Sequence, residues 1–135
     1  MDFKKFLTIG IAVGIAANLI DFAVHGNLLA DFYSHPPFRQ DVNVGWMILS
    51  DLVAGFVFAW FYLAVAGSFT PGVPGGATMG FYTGVLVIFP AAIFMHLMFE
   101  GFPYYLSWIW IFYGIVWYVC AGAIAGAIAG AINRR

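Results

Sequence analysis

The stretch YYLSWIWIFYGIVWYVCAGAIAGAIAGAI, residues 104–132, contains no charged side chain and is long enough to cross a lipid bilayer. A helix that spans the hydrocarbon core needs about 20 mostly apolar residues, because each residue adds about 1.5 Å of length. Three further stretches meet this requirement, at residues 6–30, 44–66 and 77–99. The sequence therefore predicts an all-α, integral membrane four-helix bundle in which residues 1–135 form a single transmembrane domain.

The composition of the whole chain supports a membrane protein. Of the 135 residues, 64% are hydrophobic and 8% are charged, whereas soluble domains are about half apolar and about a quarter charged. So few charges would leave large apolar patches in contact with water, which excludes a water-soluble enzyme. The net charge of −1 offers no basic surface for nucleic acid. We expect the lipid bilayer to be the solvent of this chain.

Proline and glycine residues mark the connections between the four predicted spans. They cluster at 34–37, 70–76 and 101–103, where they cost little in a loop and would cost more inside a helix. Pro90 is the exception, because it falls inside the third span. Membrane helices tolerate such a proline, so we expect a kink there.

The distribution of basic residues predicts the orientation. The side of the membrane opposite to the termini carries only Arg39, and the two termini carry the other basic residues, which are Lys4, Lys5, Arg134 and Arg135. By the positive-inside rule, both termini are expected in the cytoplasm.

Glycines at four-residue spacing indicate close helix packing. Gly10 and Gly14 form one such step in the first span, and Gly122, Gly126 and Gly130 form two in the fourth. Each step leaves a smooth groove in which another backbone can approach closely. The groove receives either a helix of the same chain or a partner, which would be a second copy or a larger membrane complex.

Ionisable residues in or beside the spans are the strongest functional signal. A charge near the bilayer centre costs at least about 2.5–3.5 kcal/mol, so such residues usually face the interior of a bundle and pair with one another. The predicted topology places all of them in the outer half of the membrane. We therefore expect a shared outward-facing polar cavity, with Asn18 orienting one of the acids. The residues are Asp21, His25, Asp51, His96 and Glu100.

The spacing of these residues suggests their chemistry. Asp21 precedes His25 by four residues and so shares a helix face with it, and the same spacing joins His96 to Glu100. Two imidazoles and several carboxylates could bind a divalent metal such as zinc, iron or manganese, or they could relay protons. Each residue also has a structural alternative, as a helix-end cap or as a protonated, hydrogen-bonded acid.

Two other functions compete with a metal-binding or proton-relaying cavity. An accessory subunit of a larger membrane complex would account for the absence of a soluble module and for the many small and aromatic residues. A haem carrier would use His25 and His96 as axial ligands. No hydrolase, metalloprotease, Walker or dinucleotide-binding motif occurs in the chain, so the sequence assigns no enzymatic activity.

The first third of the chain also contains a stretch that is similar to known sequences. The stretch DFAVHGNLL at 21–29, followed by Asp31-Phe32-Tyr33 and by Arg39, resembles a pattern in small, uncharacterised four-span bacterial membrane proteins. In these proteins a first helix ends in an aspartate and a histidine-glycine, and a short outer segment carries tyrosine and arginine. The resemblance implies a four-helix integral membrane fold and a bacterial inner membrane. It implies no activity.

Overall fold

The computed structural model describes residues 2–35 and 38–134. Within these residues the protein is helical and contains no strand. Four of the helices are long and apolar enough to cross a membrane. The predicted all-α class and the four apolar helices of a helical bundle are therefore confirmed.

The described residues form four long helices and three short helical elements. The first long helix leads into a five-residue π-helical segment and a short α-helix follows it, while a single 3-10 turn follows the second long helix. The elements are α1 (Phe3–Ala23), the π segment (Val24–Leu28), α2 (Ala30–Tyr33), α3 (Val44–Val65), the 3-10 turn (Ala66–Ser68), α4 (Val73–Met98) and α5 (Tyr104–Asn133).

Local side-chain chemistry explains where two of the helices begin. The Asp2 side chain accepts a hydrogen bond from the Lys5 backbone N–H, which starts α1 at Phe3 instead of residue 6. That hydrogen bond also holds the pKa of the Asp2 carboxyl below its usual value. Helix α4 begins at Val73, four residues before the predicted start. Pro74 occupies its first turn, where a missing N–H removes no intrahelical hydrogen bond.

Helices α1 and α3 pack tightly because small residues face each other. Gly55 of α3 lies against the backbone of Gly10 and Gly14, so a side chain there would collide with α1. On the other side of the contact, Gly10 faces the Phe56 ring and Gly14 faces Leu52. The first predicted glycine groove is therefore filled by a helix of the same chain.

Helices α4 and α5 form a second close pair. Gly76 and Gly122 face one another, each opposite the other's carbonyl group, and Gly126 faces Gly72. Gly130 lies at the edge of this contact, where an added Cβ would meet only the Gly72 Cα at 3.8 Å. The fourth-span stripe thus receives α4, and association with another copy or a larger complex stays a prediction that would need other surfaces.

Helix α1 joins the two pairs by packing against α5, whereas α3 and α4 make no extended contact. Neighbouring long helices run antiparallel, so α1 begins and α5 ends at one end of the bundle, here named the terminal end. The opposite end, where α1 leads into α2 and α4 leads into α5, is named the loop end. The buried core lies towards the terminal end and includes Ile9, Val13, Phe58, Met79 and Ala125. Nearer the loop end the helices leave room for a cavity.

Candidate functional site

A cavity of about 420 Å³ lies among the four long helices, between the buried core and the loop end. Asp21, His25 and Asp51 supply its ionisable groups. The remaining lining residues are apolar or aromatic; they are Ala54, Ile88, Ala91, Ala92, Met95, Trp110, Tyr113, Gly114, Trp117 and Tyr118. Helix α4 runs without interruption through Pro90 and contributes the apolar wall.

Three helices meet at an acid pair in this cavity. Asp21 of α1 and Asp51 of α3 are close enough for their carboxyl groups to interact directly. The Tyr113 hydroxyl of α5 donates a hydrogen bond to Asp21 Oδ1. Each acid is seven residues from the nearer end of its apolar segment, which corresponds to a depth of about 10 Å. The carboxyl groups are therefore inside the bundle, below the ends of the apolar helices.

His25 belongs to a second set of hydrogen bonds beside the acid pair. Trp110 Nε1–H donates to the Tyr33 hydroxyl at 2.8 Å, and the same hydroxyl lies 2.8 Å from His25 Nδ1. Indole N–H can only donate. Among the described residues the hydroxyl proton has no other acceptor, so we assign it to His25 Nδ1, which leaves Nε2–H as the donor of the ring. Burial raises the pKa of the Tyr33 hydroxyl and keeps it protonated.

The π segment places His25 beside Tyr113, in the same cavity as the acid pair. Its wider turn is closed by the hydrogen bond from Leu29 N–H to the Val24 carbonyl, at 2.8 Å. The His25 ring then meets the Tyr113 ring edge-on, with 4.8 Å between the centroids. Tyr113 thus contacts both Asp21 and His25 and links the two sets of groups. Single-turn π segments of this kind are frequent at functional sites.

Asn18 holds two helices together instead of contacting the acid pair. Its amide donates to the Gly14 carbonyl at 3.0 Å and to the Ile48 carbonyl of α3 at 3.3 Å. No hydrogen bond between Asn18 and Asp21 occurs in the described part of the chain, and an orienting role for Asn18 stays a prediction. Its amide donates to carbonyl groups of both α1 and α3 and so fixes these helices against each other.

His96 and Glu100 lie away from the cavity lining. His96 Nδ1–H donates to the Phe102 carbonyl at 3.1 Å, and its ring contacts the Tyr104 ring. Glu100 is exposed in the turn between α4 and α5. Three of the predicted site residues therefore come together and two do not. His25 and His96 each use Nδ1 on a protein group, and haem ligation by this pair stays a prediction.

Among residues 2–35 and 38–134, no group of three or more histidine, cysteine, aspartate or glutamate side chains could hold a metal ion. The Asp21–Asp51 pair has His25 in the same cavity, but the Nδ1 of His25 is already bound to Tyr33. Metal binding stays a prediction.

Sequence reasoning missed Tyr113, Tyr33 and Trp110. Trp110 belongs to an aromatic run that predicts only an interfacial belt. A signal for Tyr113 did exist, because it follows that belt and lies well inside the fourth span. A tyrosine hydroxyl at that depth needs a hydrogen-bonding partner from another helix.

A second cavity of about 400 Å³ continues from the first towards the terminal end. Ala54, Trp117 and Tyr118 line both cavities and join them. Among the described residues, no carboxyl or imidazole group lines the second cavity, and its other walls come from α3 and α4. Together the two cavities form a cleft with a polar end and a long apolar end, here named the α3–α4 cleft.

No protein-family model matches this chain, and no curated protein or solved structure is significantly similar to it. Function is therefore inferred from the geometry of the cleft and from the groups that line it.

Proposed function

We propose that this protein binds and releases a proton within the membrane through the Asp21–Asp51 pair. The main support for this proposal is that two carboxyl groups from different helices meet in an otherwise apolar and aromatic cavity. Two adjacent carboxylates repel each other, and a low-dielectric surrounding strengthens that repulsion. One proton shared between them removes one charge and supplies a hydrogen bond. Tyr113 then stabilises the remaining negative charge through its hydrogen bond to Asp21.

Protons reach the pair most directly from the loop end. His25 and Tyr33 stand on that side, and Tyr33 belongs to α2, outside the apolar helices. Towards the terminal end the cleft walls carry no carboxyl or imidazole group among the described residues. This asymmetry favours a site that exchanges protons with one aqueous phase over a continuous channel.

The side of the membrane follows from the basic residues. Lys4, Lys5 and Arg134 are at the terminal end, so the positive-inside rule places that end in the cytoplasm. The loop end, with the proton site beneath it, then faces outward. The resemblance to small bacterial four-span proteins favours the inner membrane.

Proton counting tests the proposal. We expect the purified protein in lipid nanodiscs to release about one proton per chain above the pH range in which ordinary carboxyl groups ionise, and we expect neither Asp21→Asn nor Asp51→Asn to release it. Potentiometric titration against matched empty nanodiscs measures the difference. Asp31→Asn is the matched control, because Asp31 is exposed and lies outside this cavity. Equal proton release by all four proteins would contradict the proposal.

A divalent metal is a second candidate, because Asp21, Asp51 and His25 line one cavity. Element analysis of wild type beside His25→Ala and His96→Ala separates the two possibilities. A stoichiometric metal that His25→Ala loses and His96→Ala retains would support a metal at the acid pair. Negligible metal in all three would remove this candidate and leave the proton site.

A further inference from the structure

We infer that the α3–α4 cleft binds a hydrophobic organic cation, whose charged group replaces the shared proton at Asp21 and Asp51. This inference rests on the proposed proton site and names a ligand class for it. Three features of the cleft support this ligand class, namely its opening between α3 and α4, the charge at its polar end and the aromatic rings in its wall.

The cleft opens between α3 and α4 on the outside of the bundle. These two helices make no extended contact, although both line the cleft. Val57 of α3 and Leu86 of α4 border the opening and are 58% and 75% exposed. Because the outside of the spanning helices faces lipid, a ligand reaches the apolar end from the bilayer. The occupant must therefore be partly hydrophobic.

The polar end of the cleft selects for positive charge. Asp21 and Asp51 are its carboxyl groups, and no lysine or arginine of the described chain lines either cavity. The other titratable groups that face the pair are His25 and the hydroxyls of Tyr113 and Tyr118, while the α4 residues of the lining contribute none. The two carboxyl groups attract a cation, whereas they would repel a phosphate or carboxylate headgroup.

The remaining walls favour an organic cation over a metal ion. Trp110, Tyr113, Trp117 and Tyr118 line the cavity around the acids. Indole and phenol rings attract cations through their faces, and tryptophan does so most strongly. A small inorganic cation would instead need several more oxygen or nitrogen ligands than the cavity offers. Weakly hydrated ammonium or phosphonium groups need no such ligands.

Charge balance makes cation binding an exchange of the cation for the shared proton. When the acid pair holds one proton its net charge is −1, and replacing that proton by a monovalent cation keeps the net charge at −1. The arriving cation favours ionisation of the second carboxyl, so binding releases the shared proton to the loop end. Cation affinity should therefore fall as the solution is acidified and the pair is protonated.

Benzyltrimethylammonium is a suitable probe, because its charge does not depend on pH. Its neutral isostere neopentylbenzene replaces the nitrogen by carbon and tests the charge alone. We expect calorimetry in zwitterionic nanodiscs to show saturable binding of the cation with proton release, and at least about tenfold weaker binding to Asp21→Asn or Asp51→Asn. Asp31→Asn should bind like wild type.

Substitutions of Trp117 test whether the aromatic wall contributes to the affinity for the cation. Trp117→Leu keeps an apolar side chain but removes the ring, and it should weaken binding about three- to thirtyfold. Trp117→Phe restores a ring and should recover most of the affinity. A purely structural role for Trp117 would weaken the binding of neopentylbenzene as much as that of the cation.

The outcomes separate the two proposals. If the proton count differs between wild type and the acid variants but the cation binds no better than neopentylbenzene, the proton site stands and this inference is wrong. Binding that is equal in wild type and both acid variants would also overturn it. If the proton count is the same in all variants, the proposed function itself fails.

Discussion

The hydroxyl of Tyr113 donates to Asp21 from within α5, where lipid offers no alternative partner. Its neighbour His25 is held by Tyr33, which in turn accepts from Trp110. At the scale of single residues, the site is thus a set of polar groups that satisfy one another inside an apolar bundle. Removing one partner leaves the other unsatisfied in surroundings that cannot replace it.

Tyr113→Phe should destabilise the fold because Asp21 loses its donor. We expect the free energy of unfolding in detergent to fall by about 0.6–1.7 kcal/mol, the range typical of hydrogen bonds between membrane helices. Tyr105→Phe is the matched control, since Tyr105 is exposed and the structure gives its hydroxyl no hydrogen bond. Circular dichroism during titration with a denaturing detergent measures both. Equal stability of the two variants would argue against the bond.

At the scale of elements, the glycines decide which helices pair. Gly10, Gly14 and Gly55 bring α1 against α3, and Gly76 and Gly122 bring α4 against α5. These contacts draw the bundle together towards the terminal end. The α3–α4 cleft remains because neither of the two close pairs joins α3 to α4.

Gly122→Ala tests this packing directly. The added methyl group would collide with the Gly76 carbonyl of α4, so the two helices must move apart. We expect a loss of about 1–3 kcal/mol in the free energy of unfolding. Gly67→Ala is the control, because an added Cβ there meets nothing within 4 Å and the backbone does not require glycine. The same loss in both variants would point to a general effect of replacing glycine.

At the scale of the whole molecule, the cleft exists because α1 joins two helix pairs whose members α3 and α4 make no extended contact with each other. Hydropathy was enough to predict the four apolar helices, and topology was enough to place the acids at a similar depth. Depth alone does not say which neighbour a side chain faces. Asp21 and Asp51 meet because α1 and α3 pack through small residues. The glycine motifs by themselves did not predict this pairing, because they fit intrachain and intermolecular contacts equally well.

His96 also shows that the depth of a side chain does not identify its neighbour. Its depth matched that of the acids, and its spacing from Glu100 predicted a shared face. In the structure the chain reverses after α4, where Gly101 adopts a φ of 81° that favours glycine. This turn brings the Phe102 carbonyl back to His96, which satisfies the imidazole locally. The residue spacing within one helix cannot predict a hydrogen-bonding partner that lies beyond the end of that helix.

Infrared spectroscopy of the carboxyl groups tests the central claim most directly, because that claim concerns one proton shared by α1 and α3. At neutral pH the wild-type protein should show a protonated-carboxyl band that shifts when the solvent is changed to D₂O. The band should disappear or shift in both Asp21→Asn and Asp51→Asn and stay unchanged in Asp31→Asn. A wild-type spectrum without this band, or a band that both variants retain unaltered, would contradict a shared proton at this site.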